Sequence, residues 1–317
     1  MKDKTGKKET LVRLLCLHRK EIIIRLILLA LLLLCGYILL CMRVCPKWEK
    51  RQIEVVTEAA MDSPLIDPEG MTQETRILPP EGYTRTEVAE SSFTAFLRHQ
   101  PLFPHGSLIY VHDGSAKSSA CAAAVYTMDT GTANLQQCAD SIIRLYSEYY
   151  RLQGMPDKIA FHTTSGFLLD YETWRSGKRA LAFGEFVMWV KVRGYQDSDE
   201  QFLSYLSTVM RYAGTLSLER ESKTIPAAKM RVGDFFCHGG SPGHVVLVVD
   251  EAINAQGEKC YLLGQGMMPA QSFHILYPQG DTADPWYKAD EIRFPLRTGT
   301  GYVFQDESTL RRWNEGF

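Results

Sequence analysis

Residues 242–251 read Pro242-Gly243-His244-Val245-Val246-Leu247-Val248-Val249-Asp250-Glu251. A Pro-Gly pair closes a turn, and the run that follows is nearly all Val and Leu. Such a run fits a strand buried on both faces. Asn254-Ala255-Gln256-Gly257 then reads as a turn, and Cys260–Gly264 as a strand returning antiparallel. Upstream, Gly233 turns the chain into a short strand over Asp234–Cys237. The strand His244–Glu251 is therefore expected at the heart of an antiparallel sheet.

The strongest helical signal is Leu135–Leu152. Leu135, Cys138, Ala139, Ile142, Leu145 and Tyr149 fall on one face at helical spacing, with Asn134 as N-cap candidate. A second helix is expected over Asp199–Tyr212 and a short one near Ser92–Arg98, with Ser91 as its cap. Ser107–His112 and Ala122–Met128 are β-rich and flank a turn-like Asp113–Ser119, which predicts a hairpin. Lys158–His162 and Phe183–Val192 are further strand candidates. No internal repeat is present. The predicted class is α+β, with helices on an antiparallel sheet.

Working toward the N-terminus, Pro79-Pro80-Glu81-Gly82-Tyr83 reads as the entrance to a domain at 79–317. Residues 45–78 lack sustained periodicity and read as a stalk. Leu26 to Met42 carries no charge, and Ile22–Ile24 extend it past Arg25. A membrane helix needs roughly 20 apolar residues, so a span over 22–44 is expected after a basic tail at 1–21. Residues 1–45 hold nine Lys/Arg against three Asp/Glu. The basic excess before the span places the N-terminus in the cytoplasm and the domain outside, in the periplasm or at the cell surface. No small-x-small site follows the apolar core, so an uncleaved anchor in the lipid bilayer is expected. The remaining 26 basic and 34 acidic residues leave the domain at net −8, which disfavours nucleic acid as a partner.

The residues that could do chemistry lie in the same blocks. A thiol nucleophile needs anionic character, and the first turn of a helix favours an anion. Cys138 would sit there. His244, rigid at the start of its strand, could take the proton. Gln265, where the next strand emerges, could orient the ring as the third member of a triad does. Gln136 or Gln137, with the Cys138 backbone N–H, could donate to an oxyanion. Gln271 is a rival to Gln265, and Asp234 a second-line candidate better read as a turn residue. Each also has a bland reading: Cys138 as core, His244 as a strand opener, Gln265 as a satisfied amide. Cys237, His238 and His244 match no standard zinc spacing, so neither metal nor cofactor is expected. Cys237 and Cys260 fall on strands that could be neighbours and could pair. Cys121 has no evident role. On the thiolate argument, Cys138 should react with iodoacetamide faster than Cys121, Cys237 or Cys260.

A Cys opening a helix, a later Gly-Asp turn, a Gly-His opening a strand, and an amide on the next strand resemble the papain-like superfamily, including the CHAP amidases. That resemblance implies a papain-like packing of the Cys-bearing helix on the sheet. It also implies a thiol hydrolase, a peptidase or amidase, whose substrate would be peptide or peptidoglycan. Gln265 departs from the Asn, Asp or Glu usual there. At closer range, Leu135–Asp140, Tyr212-Ala213-Gly214-Thr215, Gly233–Asp234, Pro242–Asp250 and Met268-Pro269-Ala270-Gln271 occur in order. From about Arg76 to the C-terminus the chain resembles a bacterial family, domain of unknown function 4846. It implies membrane or envelope residence and brings no activity. Two expectations stand: an anchored thiol hydrolase, or a non-catalytic module that binds on the same scaffold.

Overall fold

The computed structural model describes residues 19–37, 48–58, 63–184 and 186–313. Two compact units are distinguished, Met1–Pro46 and Lys47–Phe317.

In the first unit a helix runs over residues 19–37. Among the described residues no helix is long and apolar enough to cross a membrane. This overturns the span expected over 22–44. Arg19, Lys20, Glu21 and Arg25 all lie within the described helix, so charge occupies its first two turns. The placement of the N-terminus in the cytoplasm and of the domain outside rested on that span and falls with it. Residues 1–18 of the expected tail and 38–44 of the expected span lie outside the described residues.

In the second unit, the antiparallel sheet expected around residue 244 forms, with helices against it. Among the described residues nine strands build it: β1 Tyr83–Arg85, β2 Ala122–Val125, β3 Ser222–Thr224, β4 Phe235–His238, β5 His244–Asn254, β6 Lys259–Gln265, β7 His274–Leu276, β8 Tyr287–Lys288 and β9 Leu310–Trp313. Their order is β2-β7-β6-β5-β4-β9-β3, with β1 also on β5 and β8 on β6. Among the described residues of this unit six α-helices accompany them: α1 Gln73–Arg76, α2 Phe93–Arg98, α3 Cys138–Leu152, α4 Tyr171–Arg175, α5 Asp199–Tyr212 and α6 Thr215–Glu221.

β5 is buried from His244 through Asp250, as its Val/Leu composition requires. Strand alternation puts Val246 and Val248 into one cluster with Phe236, Leu263, Phe304 and Leu310. Helix α3 packs against β5 and β6. Its Tyr146 stacks on Trp313 of β9 at 5.2 Å, and Trp313 stacks in turn on Phe161 at 4.9 Å. The fully buried Asp250 is held by Arg85 Nε at 2.7 Å and Arg98 Nε at 2.8 Å.

Several local expectations shift. α3 starts at Cys138, and its N-cap is Gln137 rather than Asn134. Asp140 reaches back to accept from the Gln137 N–H at 3.0 Å, while Asn134 Oδ1 accepts from the distant Ala270 N–H at 2.8 Å. The short helix α2 is capped by Ser92, whose Oγ accepts from Ala95 N–H, rather than by Ser91. No hairpin joins residues 107–112 to 122–128. Ile109–Tyr110 pairs with Ala116–Lys117, and β2 joins the main sheet beside β7. The described parts of the expected stalk, 48–58 and 63–78, belong to the second unit, with Gln73, Arg76 and Ile77 buried. Residues 45–47 and 59–62 lie outside the described residues. Cys237 and Cys260 are free thiols, because β5 lies between β4 and β6.

Candidate functional site

Glycine 266 sets the distance between α3 and the end of β6. A Cβ there would run into Ser141 Oγ and the Gln137 carbonyl, so only glycine lets the first turn of α3 come this close. Cys138 opens that turn at the first helical position and is 8% exposed. The backbone N–H groups of Ala139, Val245 and Cys138 itself face its thiol. Val245 follows His244, so the thiol lies by the first residues of β5.

His244, Gln265 and His274 are brought together by register. Gln265 and His274 are cross-strand partners. Gln265 Oε1 lies 2.6 Å from His244 Nε2, and Gln265 Nε2 lies 3.3 Å from His274 Nε2. His274 Nδ1 is 3.0 Å from the Ser272 carbonyl oxygen. The direction of this chain follows from its last member. A carbonyl only accepts, so His274 Nδ1 carries the hydrogen, and burial pulls the pKa of His274 down to about 4, keeping Nε2 an acceptor. Gln265 must then donate from Nε2 and accept at Oε1. His244 Nε2 therefore carries a hydrogen and its Nδ1 holds the lone pair. The His244 ring lies 4.6 Å from the Tyr302 ring, and burial lowers its pKa, which keeps the imidazole neutral at pH 7.

The thiol is in a different condition. Burial, and then the Asp140 carboxyl, push Cys138 up to about 11, against the pull of the three N–H groups. The helix N-terminus does not make it an anion, as the sequence argument expected. Among the described residues no hydrogen bond joins the Cys138 thiol to His244. Asp140 is itself buried, and burial raises it to about 8 although it accepts from the Gln137 N–H. Its Oδ1 has no partner.

The remaining sequence candidates divide. Gln136 is fully buried, with Oε1 accepting from Arg144 Nη1 at 2.6 Å and Nε2 without a partner. Gln137 turns its amide onto Asn134, 3.3 Å from Oδ1. Gln271 accepts from Lys117 Nζ at 2.9 Å and does not join the histidine chain. Asp234 caps its turn by accepting from Arg231 N–H and forms an ion pair with Arg312 at 2.6 Å, a structural role. His274 and Tyr302 were missed. Only a strand register aligning residue 274 with Gln265 would have exposed His274. Among the described residues no group of three or more His, Cys, Asp or Glu side chains could hold a metal ion.

Residues 73–312 match the model of the family described as domain of unknown function 4846. Neither a curated protein nor a solved structure matches the chain.

Proposed function

We propose that this chain, which belongs to the family of domain of unknown function 4846, is a thiol-dependent hydrolase of an amide bond, with Cys138 as nucleophile and His244 as base. The observation that carries this reading is the 2.6 Å bond from His244 Nε2 to Gln265 Oε1. It fixes the tautomer that leaves Nδ1 basic, on a strand whose next residue meets the Cys138 thiol. The order of Cys, His and amide is the one on which the papain-like likeness rests.

In this mechanism Nδ1 of His244 takes the thiol proton as the sulfur attacks the carbonyl carbon, forming an S–C bond. The carbonyl oxygen becomes an oxyanion, for which the Cys138 N–H and the unpartnered Gln136 Nε2 are the candidate donors. The His244 imidazolium returns the proton to the leaving amine as the C–N bond breaks. Water then hydrolyses the thioester, again with His244 as base. Gln265 is a positioning residue. With the thiol near 11 and the imidazole lowered, the resting pair is neutral, so proton transfer accompanies attack rather than preceding it.

Labelling with a peptide-linked thiol electrophile tests this. Modification is expected at Cys138, absent in Cys138→Ala and slowed at least about a hundredfold in His244→Ala, as for loss of a general base. If the folded protein takes label at Cys121 and none at Cys138, the hydrolase reading fails. The second reading, a binding module, is favoured by one observation: a thiol that is buried and held neutral.

A further inference from the structure

We propose that the cavity between α1 and β2 is a binding site for a small carboxylate, seated on the Arg76 guanidinium and the Ser107 hydroxyl. The cavity has a volume of about 250 Å³, and its lining includes Arg76, Ser107, Glu58, Ser119, Ala123 and Tyr277. It shares no residue with the Cys138–His244–Gln265 site and does not depend on the hydrolase reading.

Arg76 is 1% exposed. A guanidinium offers five N–H donors in a fixed fork. Among the described residues those of Arg76 reach only the Phe103 carbonyl, at 3.4 Å, and Met71 Sδ, at 4.0 Å, and Nε has no partner. Among the described residues no carboxylate lies within ion-pair distance of it. Asp67 and Glu69 act on it only from afar, and burial lowers its pKa. Ser107, 2% exposed, also has an unpartnered hydroxyl. A buried cation without a counter-charge is costly, and buried polar groups are as a rule hydrogen-bonded. The buried charge of Asp250, by contrast, is matched by two arginines. Two orphaned polar groups facing one cavity are explained together by one ligand that accepts from both.

The chemistry of that ligand follows from the walls. A planar carboxylate suits the guanidinium fork. Glu58 lies on the rim, where its Oε1 accepts from Ser118 Oγ at 2.9 Å, Ser119 N–H at 2.6 Å and Ser119 Oγ at 2.9 Å. Its negative charge disfavours a multiply charged anion and leaves a monoanion as the match to Arg76. The Ala122–Val125 segment supplies an apolar wall for a short aliphatic body.

Calorimetric titration and thermal unfolding of the full chain test the proposal, with acetate, propionate and uncharged acetamide at an ionic strength held constant with chloride. Acetate and propionate are expected to bind saturably and raise Tm, while acetamide does neither. Arg76→Met should weaken acetate binding at least about tenfold, the loss of one charge-assisted hydrogen bond, and Ser107→Ala less. Arg76→Met removes an unpaired buried charge and should fold. Should it fail to, a weakened acetate affinity in Ser107→Ala carries the test. The proposal is overturned if acetate acts no differently from chloride on the wild type. It is equally overturned if the folded variants bind acetate as the wild type does.

Discussion

From His244 Nε2 through Gln265 and His274 to the Ser272 carbonyl, donors and acceptors alternate without a break. Around Cys138, by contrast, Asp140 Oδ1 and Gln136 Nε2 are buried without partners, and both Cys138 and Asp140 are shifted toward their neutral forms. The orientation of the base is thus built into the sheet, whereas activation of the thiol is not built into the helix. Magnitudes explain why. A helix N-terminus favours a nearby anion by about 0.3–1 kcal/mol. Raising a thiol from 9.0 to about 11 corresponds to nearly 3 kcal/mol against the anion, so burial wins.

The largest effect that would break this contrast comes from the middle of the ordered half. Gln265→Leu leaves the His244 Nε2–H and His274 Nε2 without partners in a fully buried site. Each orphan costs roughly 1–3 kcal/mol, so urea unfolding should show a loss of about 3 kcal/mol. A loss below about 0.5 kcal/mol, the usual size for a surface change, would mean the chain of hydrogen bonds is not intact in solution.

Protonation sharpens the same half. His274 titrates near 4 in the folded protein and near 6.5 when unfolded. Between those values the unfolded chain takes up a proton that the native chain refuses. The stabilisation is therefore complete above pH 6.5 and lost as pH falls from 6.5 to 4, by up to about 3 kcal/mol. His244, also lowered, adds in the same direction, while Asp140 works against both. The comparison that isolates His274 is therefore wild type minus His274→Gln, since Gln keeps an acceptor and does not titrate. That difference should slope only within this window. A flat difference would show that His274 is not buried as a neutral ring.

Legibility in the sequence follows how local each determinant is. Asp199–Tyr212 forms as expected, because its Ser198 cap and apolar period are both local. The strand from His244 is equally legible from composition, and with it the pairing of His244 and Gln265. Asn134 is a good cap by type, yet its oxygen is taken by Ala270, which no local pattern reveals. His274 is invisible for the same reason, since only the β6–β7 register gives it meaning. Arg76 sat inside a segment read as stalk. The membrane span failed on a different ground. The helix described over residues 19–37 opens with Arg19, Lys20 and Glu21 and holds Arg25 inside the run expected to span, and among the described residues no helix is long and apolar enough to cross a membrane.

The smallest effect concerns the unordered half and separates two accounts of it. Acids in the first turn of a helix are usually ionised and stabilised there. Asp140 is expected to be protonated at neutral pH instead, because burial raises it to about 8 and Oδ1 finds no donor. A folded value above the unfolded 3.8 means that its stabilisation holds at low pH and is lost as pH rises from 3.8 toward 8. Only above that range does its charge oppose ionisation of Cys138, for which it is the second cause after burial. Asp140→Asn keeps an oxygen for the Gln137 N–H and removes the charge. Iodoacetamide should then alkylate Cys138 at an unchanged rate near pH 7 and a few-fold faster near pH 10, where the wild-type carboxylate is charged. Mass spectrometry of the Cys138 peptide over a pH series measures both. A rate already raised near pH 7 would mean that Asp140 is an ordinary ionised cap. Its charge, and not burial alone, would then be holding the thiol neutral.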